Sequence, residues 1–146
     1  MRTIKFRGKR VKRNGWAYGD LRQLDGKNLV LPTKKDAYNA SIDADEVDNS
    51  TIGQFTGLLD KNGNEIYEGD ILTGDKYPFN CDGVDNYYLV IEEVDSDGFL
   101  SLAPISRQSA KSTCKGISDG FERDWDSVKN ATIIGNIHDN VELLKD

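Results

Sequence analysis

The chain has 146 residues, 37% of them hydrophobic and 30% charged, with a net charge of −6. That suits one compact domain or two small lobes and lies outside the highly charged, apolar-poor range of disordered chains. No apolar run approaches the roughly 18 residues of a membrane span. Charges also interrupt Met1-Arg2-Thr3-Ile4-Lys5-Phe6 before a hydrophobic signal core can form, so a cytoplasmic protein with no membrane partner is expected.

Fourteen glycines and 9% aromatic residues favour short strands and turns over long helices. Ile4–Val11 is the first expected strand, with Ile4 and Phe6 facing inward and Lys5 and Arg7 facing solvent. Charge is uneven here: Met1–Arg13 holds seven Lys or Arg and no acid, leaving 12 basic and 25 acidic residues for the rest. A solvated strand face explains this pattern; a basic arm for nucleic acid is the alternative. The excess of acids beyond Arg13 weakens the alternative, because duplex binding depends on neutralising phosphates.

Asn14-Gly15 tolerates positive φ at both turn positions and is expected to close a tight hairpin onto Trp16–Leu24, with Trp16 and Tyr18 on one face. Asp25-Gly26 makes a second turn, and Pro32 ends a third strand, Asn28–Leu31. Thr33–Asp48 reads as an irregular acidic connection, and Val47–Phe55 carries the chain from the first lobe into the second.

Two strand-like runs follow, Ile52–Leu59 and Glu65–Leu72, flanking the turn formers Asp60-Lys61-Asn62-Gly63-Asn64. Thr73–Asn86 reads as a polar loop. Tyr87–Val94 and Phe99–Ala103 form a hairpin about Asp95-Ser96-Asp97-Gly98. Within Pro104–Lys129, Phe121–Val128 reads as a short helix or a crossover. Ala131–Ile137 is a last strand and Val141–Leu144 a turn or short helix. The fold class is mainly β with little helix.

Chemical motifs are sparse. A calcium loop beginning at Asp60 fails, because Gly63 falls at its fourth position and Ile71 at its twelfth, where the EF-hand needs Gly at six and Glu at twelve. Glu68 and Asp70 would share a strand face and repel, so solvation and a structural role are expected: Gly69 bends the chain and Asp70 accepts backbone N–H groups. Cys81 and Cys114 lie in no metal spacing and read as free thiols. His138 is the only histidine, beside Asp139 and Asn140 in what reads as a polar turn. No nucleophile elbow, phosphate loop or dinucleotide fingerprint occurs. Catalytic, metal and cofactor residues are therefore assigned to none of these positions. Trp16, Tyr18, Tyr67, Tyr77, Tyr87, Tyr88 and Trp125 read as packing, with a stacking platform for a partner as the alternative.

The order Val47-Asp48, Thr51-Ile52-Gly53-Gln54-Phe55-Thr56-Gly57, Asp60-Lys61-Asn62-Gly63 and Glu65-Ile66-Tyr67-Glu68-Gly69-Asp70-Ile71 resembles the YopX family of phage and prophage proteins. Ile4-Lys5-Phe6-Arg7-Gly8-Lys9, Trp16-Ala17-Tyr18-Gly19-Asp20 and Ile134-Gly135-Asn136-Ile137 are similar to it as well. Gly53, Gln54, Phe55, Gly57, Gly63, Tyr67, Gly69 and Asp70 form the structural signature. Asn49 stands where the family often has Pro, and His138 and Val141 where it often has Tyr and Pro.

The resemblance implies a β-rich N-terminal lobe, residues 1–50, followed by an SH3-like barrel, residues 51–146. It also implies a phage or prophage origin and self-assembly into oligomers, and it carries over no catalytic residue. The leading expectation is a non-enzymatic interaction or assembly module whose partners are copies of itself and a phage or host protein. The alternative is nucleic-acid engagement through Arg7, Lys9, Arg10 and Trp16.

Overall fold

The structure, a computed structural model, describes residues 4–32, 44–75, 79, 88–94, 100–104 and 126–144. The chain divides into two compact units, Met1–Phe55 and Thr56–Asp146. The protein is mainly β with almost no helix, and its sheets are antiparallel. Among the described residues the strands close no barrel.

The first unit contains β1 (Phe6–Lys9), β2 (Trp16–Leu24), β3 (Lys27–Leu31) and β4 (Asp45–Glu46), and the start of β5 (Gly53–Leu59). They lie in the order β4-β3-β2-β1-β5. The Asp25-Gly26 turn forms as its composition dictates. Asp25 has φ 51° and Gly26 φ 76°, and Leu24 pairs directly with Lys27 across a two-residue loop. Positive φ at both central residues gives the turn a twist matching that of its strands.

Asn14-Gly15 behaves differently. The last β1–β2 pair is Lys9 with Trp16, so the chain closes over Arg10–Gly15 rather than over two residues. Only Gly15 of that dipeptide takes positive φ. Side chains hold the longer loop: Arg10 donates through Nη1 to the Asn14 carbonyl at 3.3 Å, and Arg10 and Arg13 both reach Asp45.

The burial expected of Ile4 and the solvation expected of Arg7 are both corrected. Arg7 is buried at 6% exposure, whereas Ile4 is 58% exposed and lies before the first residue of the strand. The core of this unit gathers Ala17, Val30 and Val47, with Leu21 and Ile52 packed against them. Register puts Gly8 on that side, opposite Ala17, and a Cβ there would fall 2.7 Å from the Val47 side chain. Arg7 therefore belongs to the other face, where Gly53 opposite leaves room for its guanidinium.

The acidic connection contributes β4, which composition did not reveal. Asp48 then caps a 3₁₀ turn, Asn49–Thr51, accepting the Ser50 N–H at 3.0 Å. Asn49 occupies the first position of that turn, where a proline also fits because its missing N–H would go unused.

The second unit holds the rest of β5, then β6 (Glu65–Tyr67), β7 (Asp70–Thr73), β8 (Leu89–Val94), β9 (Leu100–Pro104), α1 (Asp126–Lys129) and β10 (Thr132–Asn136). A 3₁₀ turn, Val141–Leu144, follows. β5 pairs with β6, and a separate four-stranded sheet runs β10-β7-β8-β9. Glu65–Leu72 is thus not one strand. Glu68-Gly69 breaks it, with Gly69 at φ 91°, and sends β6 and β7 into different sheets. Leu58, Ile66, Leu72, Phe79, Leu89 and Ile91 centre the core. Most of the Thr73–Asn86 and Pro104–Lys129 readings, the Asp95–Gly98 turn, Cys81, Cys114, Tyr77, Tyr87 and Trp125 lie outside the described residues.

Candidate functional site

Alternation along β1 places Lys5, Arg7 and Lys9 on one side of the first sheet. Register sets Arg7 opposite Tyr18 and Lys9 opposite Trp16. The Arg7 guanidinium carbon stands 4.6 Å from the Trp16 ring centroid, and Lys9 Nζ stands 5.9 Å from it. Lys5 Nζ lies 5.1 Å from the Phe55 ring. Each cation meets the negative face of a π system, an arrangement worth about 0.5–2 kcal/mol depending on desolvation. The result is a basic and aromatic strand face on which Trp16 is half-buried and Tyr18 remains 48% exposed.

Arg10 leaves this group. Its Nε donates to Asp45 Oδ2 at 3.1 Å, and Arg13 Nη2 donates to the same oxygen at 3.2 Å. Burial would raise the Asp45 pKa, but hydrogen bonds from Arg13 and Arg10 and their charges outweigh it and hold the carboxyl below its ordinary value. Of the four residues expected to contact nucleic acid, Arg7, Lys9 and Trp16 come together and Arg10 turns to an internal acid.

The signature residues have structural partners. Gly53 and Gln54 pair with Arg7 and Phe6, and Phe55 is buried under Lys5. Gly57 takes φ 87°. Beside it the Thr56 hydroxyl accepts from Leu58 N–H at 3.1 Å and donates to the Ile66 carbonyl at 2.8 Å, bridging β5 to β6. Gly63 (φ 85°) completes the turn. Gly69 donates to the Ile91 carbonyl and accepts from Ile137 N–H, so one residue ties β8 to the end of β10.

Asp70 is buried at 2% exposure and accepts the Tyr67 N–H at 2.8 Å. Its structural role is as expected, but it is not solvated. Glu68 avoids the anticipated repulsion by accepting Val94 N–H at 2.9 Å. Tyr67 itself is core, at 1% exposure, with its hydroxyl donating to Glu65.

Asp60 acts over the longest range. Its Oδ1 accepts the N–H groups of Asn62 and Asn64, both at 2.9 Å, and its Oδ2 accepts the Ile133 N–H of β10 at 3.2 Å. Lys61 N–H then donates to the Ala131 carbonyl at 3.0 Å. The Asp-x-Asn pattern announces an Asx turn. Nothing local announces a bond to a residue 73 positions away. Beside this turn lies a groove of about 640 Å³ lined by Gly57–Lys61, Lys129 and Asn130. Sequence reasoning missed it, because Lys129 and Leu59 are brought together only by the return of the chain into β10.

His138 lies in the turn after β10, its N–H donating to Asn136 Oδ1 at 2.9 Å. Among the described residues no group of three His, Cys, Asp or Glu side chains could hold a metal ion, and no helix is long and apolar enough to cross a membrane.

These features define a class: a mainly antiparallel β protein whose polar turns lock its strands and whose first unit presents a basic and aromatic face. The chain belongs to the YopX family, the family model for YopX protein matching residues 5–145. Its fold is similar to that in the crystal structure of protein EF1440 from Enterococcus faecalis, at 20% identity and a TM-score of 0.52, over 99% of each chain. No curated protein matches the chain significantly.

Proposed function

We propose that this chain is a non-enzymatic interaction or assembly module of phage or prophage origin, acting in the bacterial cytoplasm as a homo-oligomer that engages a phage or host protein. One observation carries the reading: the strand face where Arg7 and Lys9 hold Trp16 and where Tyr18 stays exposed. Tyr, Trp and Arg are the residues that concentrate binding energy at protein interfaces. Two-stranded support and cation stacking restrict Trp16 before any partner arrives, which lowers the entropy cost of association. The second unit is proposed as SH3-like. The β7-β8-β9 meander with β10 beside β7, and the tight β5–β6 hairpin, support that reading.

Light scattering together with capture from infected host lysate tests the proposal. Defined oligomers are expected, with capture of a partner that weakens in Trp16→Ala and Tyr18→Ala. A strict monomer that recovers nothing would overturn it.

The same face favours nucleic acid as a second reading, since Lys5 and Lys9 flank stackable rings. Burial of Arg7 and the Arg10–Asp45 pair remove two of the charges that reading needs. A low-salt fluorescence titration with single-stranded DNA or RNA that leaves the emission unchanged would eliminate it.

A further inference from the structure

The chain contains two Asn-Gly dipeptides, Asn14-Gly15 and Asn62-Gly63, each preceded by a basic residue, Arg13 or Lys61. An asparagine side chain is most open to attack by the backbone when glycine follows, because no Cβ shields the attacking amide nitrogen. All four residues are exposed, so neither exposure nor local sequence separates the sites. The fold does.

At the second site the reacting nitrogen is occupied. Gly63 N–H donates to the Asp60 carbonyl at 3.0 Å, and the N–H groups of Asn62 and Asn64 on either side are held by Asp60 Oδ1. Attack by the Gly63 nitrogen would break this turn. At the first site Gly15 lies before β2, and among the described residues no hydrogen bond uses its N–H. Only its carbonyl is engaged, by the Arg10 N–H at 3.0 Å.

The Arg10 side chain adds a charge. Its Nε is fixed on Asp45 Oδ2, and its Nη1 donates to the Asn14 carbonyl at 3.3 Å. Nη1 also stands 3.1 Å from the point a Gly15 Cβ would occupy. A cation there favours the deprotonated form of the Gly15 amide and polarises the carbonyl joining it to Asn14.

We infer that Asn14 is a site of self-modification, in which the Gly15 nitrogen attacks the Asn14 side chain and leaves an isoaspartyl residue held by Arg10. Hydroxide takes the Gly15 amide proton, and the nitrogen forms a bond to Asn14 Cγ. The carboxamide nitrogen takes a proton from water and departs as ammonia, closing a five-membered imide. Water then adds to the Asn14 backbone carbonyl carbon, the one polarised by Arg10, and its bond to the Gly15 nitrogen breaks. That nitrogen stays joined through Cγ, and the former backbone carbonyl becomes a free carboxylate beside Arg10. Addition at Cγ would give ordinary aspartate instead. The isoaspartyl product gains a negative charge and carries an extra backbone methylene two residues ahead of Trp16. This chemistry is independent of the interaction proposed for the Trp16 face.

The test is incubation of the full-length protein in mildly alkaline buffer, folded and in denaturant. Digestion and mass spectrometry with electron-transfer fragmentation then read conversion and the isoaspartate share at each site. In the folded chain Asn14 is expected to convert roughly fivefold faster than Asn62, the effect of one committed hydrogen bond. In denaturant the two rates should converge. The isoaspartate share at Asn14 should be higher in the folded chain than in denaturant. It should drop to the denatured share in Arg10→Gln and hold in Arg13→Gln, which removes a bond to Asp45 and leaves the Arg10–Asn14 bond in place.

Conversion at Asn62 that keeps pace with Asn14 in the folded chain, or an Asn14 that stays intact there, would overturn the assignment. An isoaspartate share indifferent to folding and to Arg10→Gln would overturn the part given to Arg10. Because both sites are compared within one parent chain, the first result does not depend on how either variant folds.

Discussion

Asp60 shows how one carboxylate can join a local turn to a distant strand. Burial raises its pKa, yet hydrogen bonds from Asn64, Ile133 and Asn62 outweigh burial and hold it below the ordinary value. A depressed folded pKa contributes stability that is fully present above the unfolded value of about 3.9 and is lost as pH falls through the folded value. Asp60→Asn should therefore cost about 2 kcal/mol at neutral pH, from lost charge-assisted bonds to buried N–H groups. It should also flatten the acid limb of the stability curve; urea unfolding at neutral pH and at about pH 3 reads both effects. Asp45 has the same sign but a more solvated setting, beside an Arg13 side chain that is 65% exposed. Asp45→Asn should cost under about 1 kcal/mol by the same assay. At this scale the sequence read Asp60 as a turn former and Asp70 as a backbone acceptor but expected a solvated Arg7, which is buried. Alternation separates Arg7 from Gly8, which packs on Val47, but it does not reveal that Arg7 is buried on its own face of the sheet.

Among the elements, two turns of similar composition separate. Asp25-Gly26 forms the two-residue loop that its residues favour, with Leu24 paired directly to Lys27. At Asn14-Gly15 the Arg10 and Arg13 bonds to Asp45 and the Arg10–Val47 bridge tie the preceding residues to β4 and its neighbour. That tertiary pull opens the loop. Glycine substitutions should expose the difference between strain and collision. Gly26→Ala meets no atom within 4 Å, so its cost is the left-handed backbone alone, about 1–2 kcal/mol. Gly19→Ala would place a Cβ 1.9 Å from the Leu31 carbonyl oxygen, and it should disrupt β2–β3 pairing outright. Thermal unfolding of the two variants side by side checks the ranking. Thr56→Val should cost about 1–3 kcal/mol, because Leu58 N–H and the Ile66 carbonyl lose the hydroxyl that bridges them.

For the whole molecule, charge asymmetry is the feature most altered by folding. The basic Met1–Arg13 segment is not a free arm over its described residues: β1 is paired on both sides, Arg7 is buried, and Arg10 and Arg13 meet Asp45. Any nucleic-acid affinity should therefore be weak, with a shallow salt dependence for want of phosphate-neutralising charges. Neutralising Lys5 and Lys9 together should abolish whatever low-salt binding a fluorescence titration detects. Interaction through the Trp16 face should instead survive moderate salt, since it rests on aromatic burial more than on net charge.

The sequence by itself determined a mainly β chain, the β2 and β3 strands and their Asp25-Gly26 turn, the positions of the signature glycines, and the family. These are local properties: side-chain alternation, turn chemistry and residue order. Only the tertiary structure decided that Glu65–Leu72 splits between two sheets, that Asp60 grips β10, that Arg7 is buried on the face away from the Val47 core, and that Leu59, Lys61 and Lys129 share a groove. Each depends on a meeting of residues far apart in the chain, and such meetings are set by how strands return and pack, which no short window of sequence contains.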